Sequence, residues 1–435
     1  MAMRTFLLGI CAAGLAAAAS ISSQPTFYKD VLPVMQNRCQ ECHRPGEAAP
    51  MSFLTYKEVR PWAKAIREAL LTHKMPPWPA DPHFGKFRND RSLSRAEIDT
   101  LVAWADSGAR EGDPATAPKP RHFIEGWGIG KPDQVFEMPH AFAVPAAGTL
   151  DYQYIVIPSG FTEDKWVEQM EARPGNRKVV HHIIAFVRPP GSKWMADAKP
   201  GVPYVPPKET REERGHRHGQ GPPPELLVGF APGLPPAILP AGQAKLVKAG
   251  SDFVLQMHYT ANGTAGTDRS SIGLVFAKEP PKERVFTIAN SNEKFEIPPG
   301  DPDYQVESDV TLREPAKLVD MMPHMHLRGK DFTYTAVYPS GETEVLLKVP
   351  RYSFSWQLFY YLANQKTLPA GTHIHCVAHF DNSPNNPANP DATKPVRWGD
   401  QSWEEMMIGW FDVAIPPTED PMDLFRDKKP AAAGA

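Results

Sequence analysis

The sequence predicts a multidomain chain in which a small all-α unit precedes two all-β sandwich domains. Three observations carry that expectation. Two helical stripes fall in the first quarter of the chain, at Trp62, Ile66, Ala69 and Leu70 within 61–71, and at Ile98, Leu101, Val102 and Ala105. The second stripe follows the capping box Ser94-x-x-Glu97 and stops before Gly108. Beyond residue 122 the texture changes to short β-type runs separated by Gly, Pro, Asn and Asp: 152–157, 179–187, 253–259, 272–276, 332–338, 373–380 and 406–413. The chain also holds 48 prolines, which suit many short strands joined by irregular loops and disfavour long helices.

Taken in order, residues 1–22 have the build of a secretory signal, with Arg4 ahead of an apolar run and small residues before Ser20. Export to the periplasm or beyond the cell is therefore expected, and no later stretch is long and apolar enough to cross a bilayer. A net charge of −3 with interspersed signs gives no reason to expect a nucleic-acid partner. Outside the signal the cysteines are Cys39, Cys42 and Cys376, so export does not imply a disulfide framework.

Cys39-Gln40-Glu41-Cys42-His43 is the C-x-x-C-H of c-type haem attachment, in which two thiols bond the porphyrin and the imidazole is held under the iron. A redox C-x-x-C or half a zinc site would not require the histidine. Lys74-Met75-Pro76-Pro77-Trp78 lies between the two helical stripes. Residues 25–112 thus resemble a small class I cytochrome c, and the resemblance implies Met75 as the sixth iron ligand, with Met51 and His73 as alternatives. Residues 113–122 are polar and Pro-rich and read as a linker. Domains are expected at 123–285 and 286–420, with a tail at 421–435. The Pro- and Gly-dense stretch from Pro189 to about Pro240, with its charged run 208–214, reads as a surface excursion, and His216 and His218 within it as solvated.

The β half carries histidines in strand-like contexts. Met321-Met322-Pro323-His324-Met325-His326-Leu327, read as a strand, puts His324 and His326 on one face about 7 Å apart. With 15 histidines in 435 residues, about half a chance pair is expected at any fixed spacing, so this pair carries weight only beside others. Val179-Val180-His181-His182-Ile183-Ile184 sets two histidines side by side, and a regular strand would face them oppositely unless a bulge intervenes. Phe253-Val254-Leu255-Gln256-Met257-His258-Tyr259 offers another imidazole. Trp403-Glu404-Glu405-Met406-Met407-Ile408 presents a methionine pair that ordinarily would be core packing.

The order of these pieces, His-His, Gln-x-His-Tyr, His-x-His followed by Leu-x-Gly-Lys, and Glu-Met, resembles the copper type II, ascorbate-dependent monooxygenases of the peptidylglycine α-hydroxylating and dopamine β-monooxygenase kind. The match covers roughly residues 150–415. It implies two jelly-roll sandwiches, one copper on His181, His182 and His258, and a second on His324, His326 and Met406. Met406 is preferred to Met407 because it directly follows Glu405. The resemblance further implies that O2 binds at the His-His-Met site, where a C–H bond of a small organic substrate is hydroxylated. The other copper would hold electrons. Imidazole and thioether ligands also suit copper by their softness.

Departures bear on substrate and electron supply. The positions that hold a substrate carboxylate in the peptide hydroxylases read Met322, Ile408 and Trp410 here, so an apolar or aromatic substrate near Met322, Phe354, Trp356, Phe359 and Trp410 is the expectation, unless these residues are core. The His373, His375, Cys376 and His379 strand invites a third metal or plain packing, and the turn-rich 381–387 loop a pocket wall or nothing. The haem c unit is expected to feed the coppers in place of or alongside an ascorbate-like reductant or redox protein. A copper-binding electron-transfer protein without oxygenase activity, and a structural or carbohydrate-binding sandwich with a cytochrome attached, remain the other readings.

Overall fold

The computed structural model describes residues 24–47, 49–207 and 224–426; the signal segment, the 208–214 charged run, His216 and His218 lie outside them. The N-terminal unit is helical but its helices are short: α1 Leu32–Arg38, α2 Tyr56–Val59, α3 Ala63–Leu71 and α4 Arg95–Asp106. Reciprocal capping boxes start α2 (Thr55/Glu58) and α4 (Ser94/Glu97). A 3-10 turn at Arg60–Trp62 replaces the first turn expected of α3, because Pro61 has no N–H to continue the α ladder. α4 stops at Gly108, whose φ of 92° suits a residue without a Cβ. Phe27, Val31, Met35, Val59, Leu101 and Trp104 form this unit's core. The 113–122 segment is pinned rather than loose, since Gln36 Nε2 donates to Lys119 O at 3.0 Å and Arg121 donates to Gln36 O at 2.8 Å.

Among the described residues twenty-one strands follow. The first sandwich contains β1 Gln134–Glu137, β2 Phe142–Val144, β3 Gln153–Pro158, β4 Lys165–Arg173, β5 Val180–Arg188, β6 Glu225–Phe230, β7 Ala237–Ile238, β8 Gln243–Val247, β9 Asp252–Tyr259, β10 Gly266–Asp268 and β11 Ser271–Phe276. The second contains β12 Glu283–Ser291, β13 Glu296–Ile297, β14 Tyr304–Thr311, β15 Ala316–His324, β16 Gly329–Val337, β17 Thr343–Val349, β18 Tyr360–Leu368, β19 His373–Phe380, β20 Val396–Arg397 and β21 Ile408–Ile415. The expected boundary at 285/286 falls inside β12.

Sheet β3-β9-β5-β6 backs the first sandwich and sheet β14-β19-β16-β17 the second. Their partner layers are one continuous sheet, β1-β11-β4-β8-β12-β21-β15-β18, with β7 added on β4. The seam is the parallel pairing of β8 with β12 at Gln243/Glu283 and Ala244/Arg284. Each sandwich has its own apolar filling, exemplified by Met170, Ile183, Phe253 and Leu274 in the first and Met321, Phe332, Cys376 and Phe411 in the second. Alternation of buried and exposed positions along β5, β9, β16 and β19 is the pattern of strands with one face on a core.

A buried polar knot crosses the seam. Lys245 Nζ lies 3.1 Å from Asp412 Oδ2 and donates to Thr287 Oγ1 at 2.6 Å and to Leu226 O at 2.9 Å, while Thr287 Oγ1 donates to Asp412 Oδ1 at 2.5 Å. Lys245 and Asp412 are 3 % and 5 % exposed. Removing one partner strands the other charge in the interior. Lys245→Met is therefore expected to cost roughly 3–5 kcal/mol in a urea titration, and adding Asp412→Leu to recover most of that loss; equal midpoints for the single variant and the wild type would show that the knot carries no stability.

Candidate metal centres

The first centre rests on a local irregularity. β5 and β9 pair antiparallel with Val180 opposite Tyr259 and, next, His182 opposite His258, so His181 is an extra residue with no partner. That bulge turns His181 toward the side occupied by its neighbour, which a regular strand forbids. The result is convergence: His181 Nδ1 and His258 Nδ1 each lie 3.3 Å from His182 Nδ1. An ion about 2.0 Å from each imidazole nitrogen in tetrahedral geometry requires nitrogens about 3.3 Å apart, so the three rings fit one metal ion. Among the described residues this is the only group of three or more His, Cys, Asp or Glu side chains close enough to share an ion. Tyr152 roofs it, with ring centroids 4.8 Å from His258 and 5.4 Å from His182.

The second histidine pair sits where β15 ends. The strand stops at His324, and His326 lies in the turn beyond it, so the expected unbroken strand is corrected there. His326 is held instead by Glu405, which accepts from the backbone N–H of His326 at 2.8 Å and of Arg328 at 2.6 Å. Gly329 closes the turn; a Cβ there would sit 2.7 Å from Met325 Cβ and 2.8 Å from Tyr352. His324 Nδ1–H donates to Gln357 Oε1 at 2.7 Å and His326 Nδ1–H to Glu404 O at 3.2 Å, since both partners are carbonyl oxygens. This leaves each Nε2 for another partner, and His326 Nε2 is buried with none. The rings stand 5.3 Å apart at 88°.

The methionine pair divides by burial. β15 and β21 register His324 against Ile408. Met325 and Met407 both enter the second sandwich's core, and Ser308 Oγ lies 3.3 Å from Met407 Sδ. Met406, half-buried, lies just ahead of β21 and directly follows the buried Glu405.

The two centres face each other across the junction of the sandwiches. Phe354 lies between them, its ring stacked 5.6 Å from His181 and 6.1 Å from His258 on one side and 5.9 Å from His326 on the other. Tyr152 N–H reaches Gln401 Oε1, four residues before Glu405, at 3.3 Å. Desolvation dominates the electrostatics. Burial pushes His258 down to about 3 and His324 to about 4, and holds His181, His182 and His326 below the ordinary imidazole range. All five rings are thereby kept neutral, the form that ligates metals. Glu405, fully buried, is pushed up to about 8 by desolvation despite three backbone donors and the Arg328 guanidinium.

The haem motif opens onto a third site. Cys39 follows α1, both thiols are free, and burial raises Cys39 to about 12 and Cys42 in the same direction. His43 stacks on Phe53 at 4.2 Å and 4°, and its Nδ1 lies 3.3 Å from Met51 O, so a donated Nδ1–H leaves Nε2 free. These groups line a cavity of about 1290 Å³ together with Met35, Leu101 and Met75, and with Phe230 and Trp356 from the sandwiches. Met51 also lines it, whereas His73 does not. Unpaired thiols, a neutral imidazole and an apolar cavity are what a covalent haem requires.

Other singled-out residues resolve differently. His373, His375 and His379 lie along β19, with nitrogens bonded to Thr311, Asp309, Asp331 and Gln305 at 2.7–3.2 Å, and converge on no shared ion. Asn382, in the 381–387 loop, is fully buried and fixes Arg328 Nε at 2.9 Å. Met322, Phe359 and Trp410 pack with Leu226 and Ile184 in an apolar cluster joining the sandwiches, which makes them core. Gln357, Arg328 and Tyr152 carry no local sequence signal and emerge only from folding.

No family profile and no curated protein matches the chain. Among solved structures, it is similar to the infectious bursal disease virus VP2 subviral particle at 8% identity and TM-score 0.18, over 68% of this chain and 74% of that one. It is similar also to the STIV MCP at 10% identity and TM-score 0.27, over 65% and 97%. Likenesses of this size assign no function. Fold and site together define a two-sandwich β protein with a three-histidine cluster able to hold a metal ion.

Two outcomes are expected. His258 and His324 titrate near 3 and 4 when folded but about 6.5 when unfolded, so between these values the unfolded chain binds more protons. Stability of the metal-free protein is thus present above pH of about 6.5 and lost as pH falls toward 4, and His258→Gln should flatten that dependence in urea midpoints. Glu405→Ala, which frees backbone N–H groups of His326, Arg328 and Met406, should cost about 2 kcal/mol or more by the same titration.

Proposed function

We propose that this is an exported copper-dependent monooxygenase that hydroxylates a C–H bond of a small organic substrate with O2. In this reading its N-terminal unit is a cytochrome c-like haem c carrier supplying electrons. The observation that carries it is the bulge at His181, which brings His181 and His258 Nδ1 each to 3.3 Å from His182 Nδ1, with one ligand atom of each ring within 4.8 Å of the others. A strand carries such a bulge next to two histidines when both rings are needed on one side. The paired rings of His324 and His326, with His326 Nε2 buried and unpartnered, support a second copper, for which Met406 would supply a soft thioether ligand.

In this proposal His181, His182 and His258 hold one copper through Nδ1, and His324 and His326 the other through Nε2, with Met406 completing it. Cys39 and Cys42 would bond the haem, and His43 and Met75, which line the same cavity, would ligate its iron. Copper supplies one-electron chemistry with dioxygen, and haem c stores and releases single electrons. The chain's own contribution is to keep the imidazoles neutral by burial, to orient them through Gln357 and the Glu404 carbonyl, and to exclude water with Phe354 and Tyr152. Met322, Ile408 and Trp410 at the clamp positions offer no counter-charge to a carboxylate, which speaks against a substrate held there by one; packed as they are, they select no substrate themselves. Electrons come from an ascorbate-like reductant or a redox protein through the haem. No helix among the described residues is long and apolar enough to cross a membrane.

Elemental analysis of haem-loaded protein is expected to give two coppers per iron, falling to one in His326→Ala, with O2 uptake abolished in that variant. Retention of zinc instead, or of no metal after reconstitution, would sink the assignment. Copper held without O2 uptake under any reductant would leave an electron-transfer protein. Cys39→Ala/Cys42→Ala should lose haem, keep both coppers and turn over with ascorbate while failing with a protein reductant.

A further inference from the structure

One irregular segment, residues 350–359 between β17 and β18, contacts both histidine centres and borders the cavity that Cys39, Cys42 and His43 line. Phe354 sits within 6.1 Å, centroid to centroid, of His181, His258 and His326. Gln357 Oε1 accepts from His324 Nδ1 at 2.7 Å, and Tyr352 OH donates to Met325 O at 2.6 Å between the two histidines. Two residues from Phe354, Trp356 lines the cavity that holds Cys39, Cys42 and His43. Gly233 packs between Trp356 and the Arg91 guanidinium, where a Cβ would lie 3.8 and 3.3 Å from them. Arg91 in turn acts electrostatically on Cys42.

The helical unit is held firmly in this position. Asp81 N–H donates to Lys348 O at 2.8 Å and Arg88 N–H to Tyr361 O at 2.9 Å, while Asn89 exchanges bonds with Phe359 O and Tyr361 N–H at 2.8 and 3.1 Å. Trp78, three residues after Met75, rests 5.0 Å from Tyr360. These anchors flank the segment on the chain that carries it, so the haem cavity and the histidines keep a fixed separation. A docked carrier with no tether motion must pass its electrons through the intervening side chains.

We infer that Trp356 and Phe354 form the electron path between the haem cavity and the histidine centres, with Gln357 and Tyr352 fixing the segment to the second centre. The inference rests on the copper and haem occupancy proposed above. The step is a single electron transfer: the ferrous haem is oxidised to ferric, one cupric ion is reduced to cuprous, and no proton or bond changes hands. The two aromatic side chains act as positioning and bridging groups and ligate neither metal.

The test uses full-length protein with haem and cupric ions in place, under argon. The haem is reduced by a laser pulse on a deazaflavin donor, and loss of the ferrous haem band is followed alongside the cupric paramagnetic resonance signal. Wild-type haem should reoxidise at a rate independent of protein concentration. Trp356→Leu and Phe354→Leu should each slow that step by an order of magnitude or more with haem spectrum and copper content unchanged, and Trp356→Phe should keep most of the rate. If both leucine variants, with two coppers bound, reoxidise as fast as wild type, the path is overturned while haem-to-copper supply survives. If wild-type haem is not reoxidised by bound cupric ion at all, the supply reading fails and the path fails with it.

Discussion

The seam between β8 and β12 is the constraint on which the rest of this structure depends. Two paired residues join two four-stranded layers into one sheet, and the Lys245, Thr287 and Asp412 knot fills the polar space beneath the join. Every donor in that knot has an acceptor, which is the condition under which buried charge specifies an arrangement instead of merely weakening it. β15 and β21 of the second centre belong to that continuous sheet, whereas β5 and β9 lie in the sheet that backs the first sandwich. Phe354 bridges the two, against His181 and His258 on one side and His326 on the other.

Burial then decides the chemistry of those histidines. Imidazoles in water are half-charged near neutrality, and a charged ring cannot bind a cation. Here desolvation acts on all five in the same direction, and the remaining hydrogen bonds sort the nitrogens. In the first centre the Nδ1 atoms converge; in the second the Nδ1 atoms are engaged by Gln357 and Glu404, which leaves Nε2, buried and without a partner in His326, as the atom available to a ligand. Glu405 ties the two strands of the second centre together by accepting backbone N–H groups from the turn after His324.

The helical unit contributes through docking as much as through its own motif. Its 81–90 segment adds bridges and side-chain bonds along the edge presented by β18, and Glu47 pairs with Arg177 of the first sandwich at 3.0 Å. The cavity at Cys39, Cys42 and His43 is consequently walled on one side by the sandwiches, which shields it from water and brings Trp356 to its edge.

Much of this was legible in the residues. Periodicity and capping determined α3 and α4, and β-type runs located β3, β5, β9, β11, β16 and β19 within three residues, because β5, β16 and β19 alternate with one face on a core and β3 and β11 are short apolar runs bounded by turn residues. The paired histidines, the C-x-x-C-H and the methionine after Glu405 were visible as candidates. Local sequence could not tell which of two adjacent histidines faces a site, nor separate Met406 from Met407 by physics. It also could not distinguish the His373, His375 and His379 row from a ligand set, since all three are decided by register across strands distant in the chain. Only the tertiary structure placed the bulge at His181, ended β15 at His324, packed Met322 and Phe359, with the half-buried Trp410, as core, and set Phe354 and Gln357 beside the histidines. Those outcomes depend on contacts between segments tens of residues or more apart, such as Gln357 on His324 and Phe354 on His181, and a chain read locally carries no record of which distant neighbour will remove a side chain from water.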